Sequence, residues 1–108
     1  MLFQKKIIET ISCSLMGCTY TNPDGTSRQT NLVKAKVGDD LTFKPMPTKE
    51  YPDTIGVFAK RGCIGVLPYQ TLNKLRGLYA KNKASAKISE IEKSERGLFC
   101  KIEITIYG

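Results

Sequence analysis

A mainly β domain with two short helices, its roughly six strands curved into an OB-like or SH3-like β-barrel, is the fold this sequence predicts. Three observations lead there. The chain has 108 residues, 41% hydrophobic and 25% charged, which is the size and composition of one globular domain. Six stretches show the β-branched density or apolar alternation of strands, with short Gly- and Pro-bearing turns between them. Helical spacing occurs in only two stretches, and a sandwich would need more strands. Residues 1–108 read as a single domain without repeats, linkers or low-complexity segments.

The first strand is Ile7 to Leu15, with Ile7, Glu9, Ile11, Cys13 and Leu15 on one parity and a stop at Gly17. Asn22-Pro23-Asp24-Gly25 is a dense turn signal, because Pro fixes one turn position and Gly accepts positive φ. A short helix is expected from Ser27 or Arg28 to Lys36, on the spacing of Leu32, Val33 and Ala35, ended by Gly38. Leu41 to Met46 reads as the second strand, finishing at prolines. After a polar bend from Pro47 to Pro52 comes a hairpin. Ile55–Ala59 and Cys63–Leu67 are its strands and Lys60-Arg61-Gly62 its turn.

Pro68 stands at or before a first helical turn. Leu72, Leu75, Leu78 and Tyr79 then form an apolar stripe across roughly residues 69–82. Ala84 to Glu92 alternates through Ala84, Ala86 and Ile88, falling out of phase at Ile91, and Glu95-Arg96-Gly97 turns the chain. Leu98, Cys100, Ile102, Ile104 and Ile106 are the cleanest period-two pattern in the sequence.

Charge bounds the function. Seventeen Lys and Arg against ten Asp and Glu give +7. Residues 55–108 carry ten basic and four acidic groups, and no acid lies between Thr54 and Ser89. Such asymmetry favours a polyanionic partner, nucleic acid or an anionic membrane. With no His, a Ser-His or Cys-His pair cannot form, and no Gly-rich phosphate-binding motif is present. A non-enzymatic chain without cofactor or metal is expected.

Cys13, Cys18, Cys63 and Cys100 are expected to be free thiols behaving as small core hydrophobes in a reducing cytoplasm. No C-x-x-C pair supports zinc, and a domain of this size does not need disulfide staples. Leu15-Met16-Gly17-Cys18 has the outline of a lipoprotein cleavage box, but the stretch before it contains Glu9, Thr10, Ser12 and Ser14 and is too polar for a signal core. No run approaches the ~20 apolar residues of a membrane span, and no membrane association is expected.

The order of these signals resembles the HIRAN domain family over nearly the full chain. The matching text is Gly17-Cys18-Thr19-Tyr20, Asn22 to Arg28, Val37-Gly38-Asp39-Asp40-Leu41, Tyr51 to Val57 and Ile64-Gly65-Val66-Leu67-Pro68. The last strands, through Ala86-Lys87-Ile88 and Ile102-Glu103-Ile104, continue it. The resemblance implies an OB-like barrel. In large fork-remodelling ATPases the family's domain binds single-stranded DNA near a free 3′ end, by aromatic stacking and backbone donors. Thr19 stands where those members have Arg before the Tyr, and Glu50-Tyr51 where they have Tyr-Asp, with the nearest Asp displaced to Asp53.

The candidate nucleic-acid-binding residues are Tyr20, Arg28, Tyr51, Lys60, Arg61, Lys74, Arg76, Lys81 and Lys83. Tyr20 and Tyr51 offer stacking faces, against the plainer reading of aromatics packed at chain bends. Arg28 either meets phosphate or orders the Asn22–Gly25 loop through Asp24. Lys60 and Arg61 head the acid-free stretch at a hairpin tip. Lys74 and Lys81 flank one side of the second helix's stripe, Arg76 and Lys83 the other, as snorkelling side chains do around any buried face. Single-stranded DNA is the expected partner, a protein partner the alternative, and the sequence leaves the oligomeric state open.

Overall fold

The structure, a computed structural model, describes residues 6–79 and 83–108. Its elements are β1 (Ile7–Ser14), α1 (Arg28–Val33), β2 (Asp40–Pro45), β3 (Ile55–Ala59), β4 (Gly62–Val66), α2 (Tyr69–Tyr79), β5 (Lys83–Ser94) and β6 (Gly97–Tyr107). All six strands belong to one sheet in the order β1-β6-β5-β2-β3-β4, and every pairing is antiparallel.

The sheet curls until its ends meet. Just past β1, Met16 N–H donates to the Val66 carbonyl at 3.0 Å, and Val66 N–H donates back to Met16 at 2.9 Å. This single bridge makes a partly closed barrel. β2 forms the corner: Asp40 and Leu41 pair with β5, then Thr42 to Pro45 pair with β3. Bulges at Ile7/Glu9, Val57/Phe58 and Ile88/Glu90 add local twist and bend.

Those bulges also explain where simple alternation breaks. Ile88 faces Ile102 and Glu90 faces Lys101, so Ser89 is the extra residue. The insertion turns Ile91 back toward the core beside Cys100, which is why it falls out of phase with Ala84, Ala86 and Ile88. In β4, Ile64 is the extra residue between the partners of Val57 and Phe58, and Cys63, Ile64 and Gly65 are all buried. Without such insertions β6 keeps strict period two. Cys100, Ile102, Ile104 and Ile106 are buried, with Leu98 half-buried at the hairpin end. These side chains, with Ile11, Leu32, Leu41, Val57, Ile64 and Ile88, fill the barrel.

α1 starts as the sequence predicts, with the Ser27 hydroxyl accepting from Thr30 N–H at 3.3 Å. It ends at Val33, earlier than the expected Lys36, because its core contact is a single side chain, Leu32, and the chain then turns toward Gly38 at φ +93°. α2 lies over the barrel's side. Its Lys74 meets Glu9 of β1 at 2.7 Å, Thr71 lies beside the Cys13 thiol, and Arg76 meets Asp53 at 2.7 Å ahead of β3. The expected extension of this helix over residues 80–82 lies outside the described residues, as do the side chains of Leu78 and Tyr79.

All four cysteines are free thiols, Cys13 half-buried and the other three buried. No helix among the described residues is long and apolar enough to cross a membrane.

Candidate nucleic-acid interface

Between β1 and α1 the chain runs along the open edge of β4, and side chains take over where strand pairing stops. Gly17, at φ +68°, begins a tight turn in which Tyr20 N–H donates to the Gly17 carbonyl at 3.0 Å. A Cβ there would lie 2.7 Å from Arg28 Nη1, so this close approach requires glycine. Asn22 Nδ2 donates to the Cys63 carbonyl at 3.2 Å, and Asn31 Nδ2 of α1 to the same carbonyl at 2.9 Å. Gln29 fastens the other flank. Its Nε2 donates to the Cys18 and Leu98 carbonyls, each at 2.8 Å, and its Oε1 accepts from Leu98 N–H at 2.7 Å.

Arg28 is the hub of this loop and is only 6% exposed. Its Nε donates to Asn22 Oδ1 at 2.8 Å and its Nη1 to the Gly17 carbonyl at 3.0 Å. The expectation that it orders the loop through Asp24 is corrected here. Asp24 instead accepts from Thr26 N–H at 2.9 Å and the Thr26 hydroxyl at 2.6 Å, closing its own turn. Those two donors hold the Asp24 carboxyl below the usual carboxylate range. Tyr20 lies against Arg28, with the guanidinium carbon 5.9 Å from the ring centroid, and is 67% exposed. Tyr20 therefore has a cation on one side and solvent on the other.

Lys60 and Arg61 occupy the two-residue tip between Ala59 and Gly62, exposed and without an ion pair among the described residues. The tip is close to the Arg28 network. Cys63, which receives both asparagines, lies two residues past Arg61, and a Cβ on Gly62 would lie 2.9 Å from Asn31 Nδ2. Tyr20, Arg28, Lys60 and Arg61 thus gather around the start of β4.

The other candidates lie elsewhere. Tyr51 is exposed, but its bend precedes Ile55 at the opposite end of β3 from the Lys60–Arg61 tip. Its backbone is held by Thr48 and Thr54. Lys74 and Arg76 correct the picture of a basic helix rim, because each is paired with a carboxylate, Glu9 and Asp53 respectively. Lys83 is exposed at the first position of β5, opposite Tyr107. Lys81 lies outside the described residues.

Sequence reasoning missed two features. Asn31 and Gln29 carry the loop's attachment, yet one polar residue on a short helix gives no signal of its partner. A cleft of about 490 Å³ opens between α2 and the β2–β3 corner, lined by Phe43, Ile55, Leu67, Leu72 and Leu75, with Arg76 and Asp53 at its margin. Lys44, also on the cleft wall, sets its ammonium 4.8 Å from the centre of the Phe58 ring.

Cys13, Cys18 and Cys100 are unsuited to nucleophilic work. Burial pushes the Cys13, Cys18 and Cys100 thiols up, Cys100 to about 12, so the neutral form dominates near neutrality.

No protein-family model and no curated protein matches the chain. It is similar in fold to the crystal structure of a structural-genomics target protein from Lactobacillus plantarum. The TM-score is 0.61 at 13% identity, over 94% of this chain and 95% of that one.

Proposed function

We propose that this domain is a non-enzymatic nucleic-acid-binding module that takes single-stranded DNA. The observation carrying this reading is the Tyr20 ring, exposed on one face, backed by Arg28 on the other and close to the unpaired cations of the Lys60–Arg61 tip. Every base has a π-face, so one exposed tyrosine beside a basic groove is sequence-tolerant, and each stacked base is worth ~1–3 kcal/mol. Phosphate attraction adds the salt-sensitive remainder. The resemblance to HIRAN domains points the same way, through the barrel and the retained Tyr20.

The test is fluorescence anisotropy with labelled single-stranded DNA at low and moderate salt. Binding should fall with salt, and Tyr20→Ala should weaken it by about tenfold, as one lost stacking contact implies. Absence of binding at low salt from folded, monodisperse protein would reject the reading. The apolar cleft beside α2 favours a second reading, a protein-interaction module, whose binding would depend little on salt and would respond to Leu72 or Phe43 rather than to Tyr20.

A further inference from the structure

Arg28 is a buried cation that no anion among the described residues balances. It is 6% exposed, yet both of its hydrogen-bond acceptors, Asn22 Oδ1 and the Gly17 carbonyl, are neutral. None of the ion pairs among the described residues involves it. The acids that belong to this stretch of sequence or to the family pattern are engaged elsewhere, Asp24 by Thr26 and Asp53 by Arg76. A guanidinium stays charged at any ordinary pH, and burying one without a carboxylate is costly. Neutral donors could hold Asn22 and Gly17 without that cost.

Among the described residues the Nη2 group makes no hydrogen bond, whereas no fully buried side-chain nitrogen or oxygen there lacks a partner. Nη2 therefore keeps a narrow opening to solvent, and the guanidinium carbon that bears it lies 5.9 Å from the centre of the Tyr20 ring. An anion entering there would complete both the charge balance and the guanidinium's hydrogen bonding.

We infer that Arg28, with Tyr20 beside it, is a receptor for the terminal phosphate monoester of a nucleic-acid strand. The inference rests on the nucleic-acid reading and makes it more specific. An internal phosphodiester carries chain on both sides and would have to pass beneath Tyr20 to reach so enclosed a cation. A terminal phosphate projects beyond its sugar and carries a second negative charge. A terminal hydroxyl would want an acceptor, and the neighbourhood supplies a cation. The shared chemistry covers 5′- and 3′-phosphates, which the experiment separates.

Two measurements, on the wild-type protein and one tip variant, test this. In the first, three labelled strands of one sequence are compared by anisotropy at moderate salt, ending in a 5′-phosphate, a 3′-phosphate or hydroxyls only. One phosphate-ended strand should bind about tenfold more tightly than the hydroxyl strand, the size of one charge-assisted contact. Lys60→Ala/Arg61→Ala should weaken all three strands and preserve that ratio. In the second, the Arg28 Nε–Hε resonance is followed during titration with thymidine monophosphates and with thymidine. It should shift with a monophosphate and stay still with the nucleoside. Equal affinity for all ends, a ratio abolished by the tip variant, or a stationary Arg28 resonance overturns the inference and leaves strand binding intact. Failure of every strand to bind removes the underlying reading instead.

Discussion

At the scale of single residues, burial decides what a group can do. Cys100 is 1% exposed, and desolvation raises its thiol from an ordinary 9.0 to about 12, helped by the neighbouring Cys18 and Cys13 sulfurs. Above pH 9 the unfolded chain releases this proton while the folded chain keeps it, so the unfolded state binds fewer protons and stability falls as pH rises from 9 toward 12. Cys13 and Cys18 shift the same way and add to the slope. Urea denaturation in reductant at stepwise pH should show this decline, and Cys100→Ala should flatten it. Asn31 shows the converse, a polar group buried because it is satisfied. Asn31→Ala removes its bond to the Cys63 carbonyl and should cost about 1 kcal/mol in the same assay, moderated by the Asn22 bond that remains.

At the scale of elements, the question is what lets segments approach. Gly65 of β4 pairs with Val57 and faces the chain that leaves β1. A Cβ at Gly65 would sit 3.0 Å from the Met16 carbonyl, 3.1 Å from Leu15 Cβ and 3.3 Å from Cys18 Sγ. Gly65→Ala should therefore destabilise by ~1–3 kcal/mol through overpacking and speed amide exchange at Met16 and Val66, where the barrel closes. Elements of this kind were legible in the sequence wherever a local rule sufficed. The β3–β4 hairpin, read with its turn at Lys60-Arg61-Gly62 although Gly62 already belongs to β4, the start of α1 at Arg28 and the alternation of β6 follow from turn chemistry and side-chain period. The end of α1 did not, nor did the bulge that causes the phase slip already visible at Ile91, because both depend on contacts with distant segments. The same divide runs through the site. The exposed Tyr20 and the tip lysine and arginine could be read as residue types in place, whereas Arg28's true partners could not. Asp24 is nearer in sequence than Gly17, but its own turn has already claimed it.

At the scale of the whole molecule, the net charge of +7 matters less than which cations remain uncompensated. Lys74 and Arg76 answer Glu9 and Asp53 across the packing of α2, and Lys101 lies between Glu90 and Glu92, at 3.2 and 3.3 Å, on the β5–β6 hairpin. The acid-free run of sequence is thus not acid-free in space, since folding brings Glu9 and Asp53 to its helix. The Lys60–Arg61 tip and the buried Arg28 are among the cations to which folding brings no carboxylate within ion-pair distance among the described residues. On the proposed function, a strand bound there would exchange counterions with those side chains, at a salt slope of about −0.7 per phosphate neutralised. Lys60→Ala/Arg61→Ala should therefore flatten the log–log salt dependence by about 1.4, two phosphates' worth. Lys74→Ala/Arg76→Ala removes the same formal charge, but from cations already paired, and leaves Glu9 and Asp53 unbalanced near α2. It should lower affinity only weakly and leave the slope nearly unchanged, because no phosphate loses its partner. Anisotropy titrations across a salt series would separate the two. Equal slopes for both double variants would mean that the strand senses total charge, and that the gathering of Tyr20, Arg28, Lys60 and Arg61 around β4 has no part in holding it.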